Sequence, residues 1–359
     1  MFLKKKDKVT AEMVLNALSQ VMDPDLHKDV VSLGMISDIS ISGPKVHFKL
    51  TLTTPACPVK EQMESQCREA VAGIDGVQEV EMESTATVAG ARDLVGKEPV
   101  EGIKQIIAVT SGKGGVGKTT VSVNLAVALA QLGAKVGVLD ADITGPNVPL
   151  MLGVGEYQPT SNMHNKITPP ENFGIKCMSI AFFVDRDTPV IWRGPMLDKA
   201  IKQFLRDVEW GELDYLIVDM PPGTGDAQLT LTTATQVSGV LVTTPQDVAL
   251  LDVRRGYAMF EKMKVPVLGL IENMSYFSCP ECHTATHIFG SAGGRALANE
   301  MQLPLLGEIP IDIGVREGGD AGRPITATNS EHPISRAYIA AAKQVAAQVS
   351  IKTLASVFS

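Results

Sequence analysis

One octapeptide constrains this chain more than any other feature: Gly112-Lys113-Gly114-Gly115-Val116-Gly117-Lys118-Thr119. Closely spaced glycines let the backbone curl until successive N–H groups point inward at phosphate oxygens. In this P-loop pattern Lys118 reaches the β- and γ-phosphates, and the Thr119 hydroxyl is placed to bind Mg²⁺. The flanks fit. Residues 105–110 read as a buried strand, and residues 120–132 have helical periodicity with Gly133 as the stop. Phosphate would therefore sit at a helix N-terminus, beside Thr120. The pattern implies a nucleotide-binding fold. A second lysine, Lys113, near the start of the loop sets it apart from the ordinary P-loop.

The rest of the chain fits an α/β protein of two parts. At 359 residues it has the length of about two domains. Residues 1–90 read as a small α+β unit, 91–104 as a linker, and 105–359 as the nucleotide-binding domain. In the first part Thr10 caps a helix bearing Val14, Leu15, Leu18, Val21 and Met22. A polar loop follows over 23–33. Runs 36–41 and 45–53 alternate about a Gly43-Pro44 turn, a second helix starts near Pro58 and reaches Ala72, and 77–82 is a last strand. In the second part, apolar runs at 135–139, 214–218, 239–243, 267–271 and 305–309 alternate with helical patterns. That alternation predicts a mostly parallel sheet with helices on both faces.

Bulk chemistry narrows the partners. A formal net charge of −8 argues against nonspecific binding to nucleic acid, which needs a basic field. The sequence has no run of 18 apolar residues and no apolar core behind Met1-Phe2-Leu3-Lys4, so neither a membrane span nor a secretory signal is expected. Five cysteines, two of them in Cys-x-x-Cys, fit a reducing compartment, and the cytoplasm is the expected location.

Two aspartates end strands where ligands of open α/β sheets collect. Asp219 matches a Walker B carboxylate that holds Mg²⁺ through water, and the loop Met220–Asp226 after it is suited to sensing a γ-phosphate. Of Asp140 and Asp142, the latter is the expected catalytic group and the former its support; either is also compatible with a capping role. Asn273 follows a late strand, where its donor and acceptor match the edge of adenine, although asparagine also forms turns.

Cys279-Pro280-Glu281-Cys282 places two thiolates on one tight knuckle, able to share a metal centre. His283 and His287 raise a zinc reading, but His283 adjoins Cys282 too closely for both side chains to reach one ion. Two thiolates do not complete a tetrahedral site; the same motif on a second copy across a twofold axis would supply four. A surface pair with no metal is the plain alternative. Cys57 precedes Pro58 at an expected helix start, where the dipole would lower its thiol pKa, and Cys67 and Cys177 read as core.

Taken together, the P-loop with Lys113, Asp140-Ala141-Asp142-Ile143-Thr144-Gly145-Pro146-Asn147, Asp219-Met220-Pro221-Pro222-Gly223-Thr224-Gly225-Asp226, and Asn273-Met274-Ser275 followed by Cys-Pro-Glu-Cys resemble the Mrp/ApbC group. These are deviant-Walker ATPases that act as iron–sulfur cluster carriers. The resemblance covers residues 100–345, and Asp23-Pro24 with Thr54-Pro55-Ala56-Cys57-Pro58 is similar to the small iron–sulfur-assembly domain often fused ahead of them. It implies a homodimer with a labile 4Fe–4S cluster bridged by Cys279 and Cys282 of both subunits. It also implies bound ATP and Mg²⁺, with Lys118 and Thr119 on phosphate and metal, Asp142 in switch I, Asp219 opening switch II, Asn273 on adenine, and Lys113 reaching the partner's nucleotide. Scaffold proteins and apo recipient proteins are the implied partners. The extra N-terminal cysteine cluster of some relatives is missing here. A positioning ATPase of the MinD/ParA kind shares the P-loop, but the tail 334–359 has only Arg336, Lys343 and Lys352 as cations, too few for a lipid anchor. A nitrogenase-type reductase spaces its cysteines far apart. A zinc metallochaperone stays open, because thiolate pairs accept both metals.

Overall fold

The computed structural model describes residues 8–90, 97–143, 145–184, 194–282 and 284–358. The first residues of the chain, residues 91–96 of the expected linker, Thr144 of the second motif, and His283 lie outside the described residues. The chain forms two compact units, Met1–Ala89 and Gly90–Ser359.

In the N-terminal unit the strand Lys45–Leu52 alternates as its sequence demands, burying Val46, Phe48, Leu50 and Leu52. It pairs antiparallel with Ile36–Ser42 and parallel with Glu79–Ala86, and the helix Lys60–Ala72 makes the crossover. Thr10 caps the helix Ala11–Leu18, its hydroxyl accepting the Met13 N–H at 3.3 Å. Within the expected polar loop, Met22–Asp23 pairs with Lys28–Asp29, and the Asp23 carboxylate accepts the Asp25 and Leu26 N–H groups. The second helix starts later than its sequence suggested. The Thr54 hydroxyl accepts the Ala56 N–H, and helical bonding begins with Met63 N–H to the Val59 carbonyl. Cys57 therefore lies in the preceding turn, and Pro58 is not the first helical residue. Cys67 is buried in the core, its thiol pushed up to about 11 by burial and then by the Glu64 charge.

Among the described residues the second unit is built on a nine-stranded sheet. The strand leading into the P-loop, Ile103–Ser111, lies between Leu213–Asp219 and Ser238–Thr243, all parallel. Outward from Leu213–Asp219 come Val136–Asp140 and Ile175–Ser179; outward from Ser238–Thr243 come Val267–Ser278 and Leu305–Ile311. Two antiparallel pieces are added: Glu171–Asn172 beside Ile175–Ser179, and Ala285–Thr286 beside the far end of Val267–Ser278. This is the mostly parallel P-loop sheet that the alternating runs predicted. Residues of Ile103–Ser111 alternate between faces. Ile106 and Ala108 join a core with Leu197, Ile201, Leu250 and Val253, supplied by the helices Gly194–Arg206 and Asp247–Lys262. On the other face the helix Lys118–Gln131 packs against the long helix Pro333–Phe358. The alanines of that last helix answer to close packing. Ala341, Ala342 and Ala346 are buried, and a Cβ on Gly307 would lie 3.0 Å from the Cβ of Ala341. Among the described residues no helix is long and apolar enough to cross a membrane.

Two features went unread in the sequence. The strand Ile175–Ser179 carries Cys177 into the sheet, fully buried, with its thiol pushed up by burial and then by Asp140. The strand expected at 267–271 runs on to Ser278, well past the point where its hydrophobic run ends.

Candidate functional site

The carboxyl ends of the central strands gather the predicted groups. Gly115 and Gly117 hold φ values of 82° and 79°, the left-handed region that side chains disfavour. Gly112 is required for a different reason: a Cβ there would lie 2.2 Å from the Asp252 carbonyl carbon. The helix Lys118–Gln131 begins with no side-chain cap, so its first-turn N–H groups stay available to an anion. That is the chemistry of a phosphate cradle.

Lys118 is only 6% exposed, with Nζ 2.8 Å from Asp219 Oδ2 and 3.6 Å from Asp142 Oδ2. Thr119 donates to Asp219 Oδ2 at 2.7 Å, and Ser122, one turn on, donates to Asp219 Oδ1 at 2.6 Å. Asp219 is fully buried, and three donors compensate its desolvation. Ser122 was not singled out in the sequence; its place one turn after Lys118, facing the sheet, was the available signal.

Asp140 and Asp219 are directly paired across adjacent strands. Burial, followed by the Asp219 charge, holds the Asp140 carboxyl well above the usual carboxylate range. Its oxygens accept N–H groups from Asp142 and Val148, each at 3.2 Å, and the Ser179 hydroxyl at 3.1 Å. Asp140 thus shapes the loop that presents Asp142 to Lys118. The loop after Asp219 is tied down as well: Gly223 N–H donates to the Ser111 carbonyl, and Gln228 Nε2 donates to the carbonyls of Pro221 and Gly223 at 2.7 and 3.0 Å. Gln228, too, went unnoticed in the sequence. Lys113 is half-buried, and among the described residues it has no carboxylate partner.

Beside the P-loop lies a cavity of about 510 Å³, lined by Gly117, Thr119, Thr120, Asn147, Asn273, Met274, Asp312 and Arg316 among others. Its mixed lining and contact with the helix start suit the nucleoside of a nucleotide whose phosphates occupy the loop. Asn273 stands at its wall, with one of its two amide hydrogens donated to the Val116 carbonyl at 2.8 Å.

The cysteine pair sits on a hairpin. Phe277 and Ser278 pair with Thr286 and Ala285, and Cys279 N–H donates to the Thr284 carbonyl at 3.1 Å. Cys282 is exposed and Cys279 half-buried. The Cys282 thiol lies 3.2 Å from the Thr284 hydroxyl, and hydrogen bonding from Thr284, then from Cys279, holds its pKa below that of an ordinary thiol. His287 turns back to the strand, with Nδ1 3.4 Å from the Ser275 carbonyl and its ring edgewise to Tyr276. Among the described residues no group of three His, Cys, Asp or Glu side chains is placed to hold a metal ion. The hairpin offers two sulfur donors.

Comparison with known proteins agrees with this geometry. Residues 102–346 match the family ParA, described as NUBPL iron-transfer P-loop NTPase, and residues 11–82 match the family of iron–sulfur cluster assembly proteins. The iron–sulfur cluster carrier protein of Synechocystis is 52% identical over 96% of this chain and 99% of its own length. That of Escherichia coli K12 is 40% identical over 96% of this chain and 94% of its own. Among solved structures, an ADP-bound nucleotide-binding protein from Archaeoglobus fulgidus is 40% identical with a TM-score of 0.56, covering 62% of this chain and 88% of that one. The cell-division ATPase MinD of Pyrococcus furiosus shares the fold more distantly, at 26% identity and a TM-score of 0.50 over 67% of this chain and 98% of its own. The match spans the whole P-loop sheet and its cysteine hairpin, and the chain belongs to the ParA family of NUBPL iron-transfer P-loop NTPases.

Proposed function

We propose that this protein is an ATP-hydrolysing iron–sulfur cluster carrier that holds a labile 4Fe–4S cluster between two subunits and releases it to apo recipient proteins. The single observation carrying the reading is the exposed hairpin with Cys279 and Cys282 at the end of a strand that also lines the nucleotide cavity. Two sulfurs from each of two copies make the four-thiolate set of a cubane cluster. The names of the relatives, which match along nearly their whole length, support cluster carriage over a positioning role.

In this reading residues 105–359 are the ATPase domain, 1–90 an assembly-type domain and 91–104 the linker. The loop N–H groups of Gly114, Gly115, Val116 and Gly117 surround the phosphates, with Lys118 and Thr120 beside them. With nucleotide bound, Lys118 would turn from Asp219 to the β- and γ-phosphates, and Thr119 and Asp219 would hold a Mg²⁺ that neutralises phosphate charge. Water attacks the γ-phosphorus, the β,γ-bridging bond breaks and ADP leaves. Asp142 orients the attacking water, and Lys113 of one subunit offers its charge to the nucleotide of the other. ATP drives no redox step; its hydrolysis biases a dimer between cluster-holding and cluster-releasing states. Scaffold proteins would load the hairpin, in the cytoplasm.

Anaerobic purification followed by an absorption spectrum and iron, sulfide and zinc analysis tests the reading. Near-equal iron and sulfide with a broad band in the visible is expected. Zinc without sulfide would overturn it in favour of a zinc carrier.

A further inference from the structure

The strand Val267–Ser278 touches both halves of this machinery, and its middle is built as a pivot. On one side Asn273 is 5% exposed and donates to the Val116 carbonyl of the P-loop at 2.8 Å. The contact is tight enough that a Cβ on Gly117 would lie 2.2 Å from Asn273 Nδ2. Directly after it, Met274 takes a left-handed φ of 55°, and pairing with Leu305–Ile311 changes register between Asn273 and Phe277. The strand bends there. Glu272 anchors the bend: its fully buried carboxylate accepts the Ser275 hydroxyl at 2.6 Å and the Gly294 N–H. A buried carboxylate with two donors is costly to move, because any displacement leaves charge unpaired. Beyond the bend, Phe277 and Ser278 pair with Thr286 and Ala285, so the cysteine hairpin directly continues the strand.

We infer that Asn273 is a positioning residue that ties the P-loop to the cysteine hairpin, so that nucleotide seated on the loop changes the order of the hairpin. A P-loop that turns its N–H groups onto phosphate must turn its carbonyls outward, and the Val116 carbonyl meets Asn273. Any change at that carbonyl when the loop is occupied would reach the strand through Asn273, which is the differential contact that coupling requires. Of the two amide hydrogens of Asn273, one is committed to the loop. The inference rests on the carrier reading for what the hairpin holds, not for the coupling itself.

Hydrogen exchange on the full chain, with and without Mg-ADP, tests it. In the wild type, nucleotide should slow exchange of the hairpin amides by about tenfold, the size of a typical coupling between sites. In Asn273→Asp, measured at saturating nucleotide, P-loop protection should persist while the hairpin response disappears. Asn273→Ser, shorter and uncharged, is the second variant and should behave likewise. A wild-type hairpin indifferent to nucleotide overturns the inference. So does a full hairpin response in both variants, or a defect confined to the preference for ATP over GTP. Failure of the carrier reading is separately visible as wild-type protein that binds no iron and sulfide.

Discussion

Lys118 and Asp219 form an ion pair of 2.8 Å at the carboxyl edge of the sheet, in a place where the lysine is 6% exposed and the aspartate not at all. The pair keeps the P-loop lysine and the strand-end carboxylate together, each the other's compensation for burial. Asp219 needs more than one partner, and Thr119 and Ser122 supply them.

Ser122→Ala leaves Asp219 Oδ1 without its hydroxyl donor inside the protein. The expected cost is about 1–3 kcal/mol of stability, the penalty of an unsatisfied buried acceptor. It should be read as a lower thermal midpoint with kcat reduced about tenfold, as the carboxylate loses its alignment. A variant with wild-type melting and turnover would show that Ser122 does not hold Asp219.

Lys118→Ala should abolish ATP hydrolysis while leaving cluster loading possible, because the charge is removed only at the phosphates. Turnover by phosphate release and loading by absorbance after anaerobic reconstitution give the two readouts. A variant that cannot be loaded at all would mean that the two sites are not separable.

Replacing Cys279 or Cys282 with Ala should abolish cluster binding and leave ATP binding intact. Nucleotide affinity and bound iron are measured on the same preparations. Near-stoichiometric iron on the double variant would remove the hairpin from consideration.

The apo thiols should differ in reactivity in a fixed order. Cys282 is exposed with a pKa held below that of an ordinary thiol by Thr284, so it carries more thiolate at neutral pH and is alkylated first. Cys67, raised to about 11, and fully buried Cys177 come last. Thr284→Val should raise the Cys282 pKa and slow its labelling near neutrality, with the difference vanishing as pH rises above both values. Time-resolved labelling followed by peptide mass spectrometry checks the order.

Lys113→Ala should lower hydrolysis by about a hundredfold or more while ATP binding falls much less, as for a charge supplied in trans to the transition state. On the proposed reading Lys118 serves the phosphates within one subunit, which would make Lys113 redundant there. Mixing Lys113→Ala with Asp142→Ala should restore part of the activity, since one of the two mixed sites has its own Asp142 and a neighbour's Lys113. No recovery in heterodimers shown to have formed would place Lys113 in its own subunit.

The sequence by itself determined the elements whose signals are local. Glycine spacing dictated the P-loop, because Gly115 and Gly117 need left-handed φ whatever surrounds them. Alternating apolar runs dictated the parallel sheet, and period-two burial dictated Lys45–Leu52. Two thiolates on one knuckle were visible as Cys-x-x-Cys. Tertiary structure decided everything that depends on which strands lie side by side. Only the pairing of Val136–Asp140 with Leu213–Asp219 sets Asp140 against Asp219, where burial and then the Asp219 charge hold its carboxyl up, and makes it the shaper of the loop that brings Asp142 to Lys118. Only packing gives Ser122 and Gln228 their partners, since a serine or glutamine within a helix carries no local mark of what it faces. Asn273 shows the division most plainly. The run 267–271 placed it just beyond a strand, whereas it lies within Val267–Ser278, and the engagement of its amide with Val116 depends on a residue far away in the chain, brought close by the order of the strands. The extension of that strand to Ser278 was likewise hidden, because hydrogen bonds to Ala285 and Thr286 hold it where its own residues are no longer uniformly apolar.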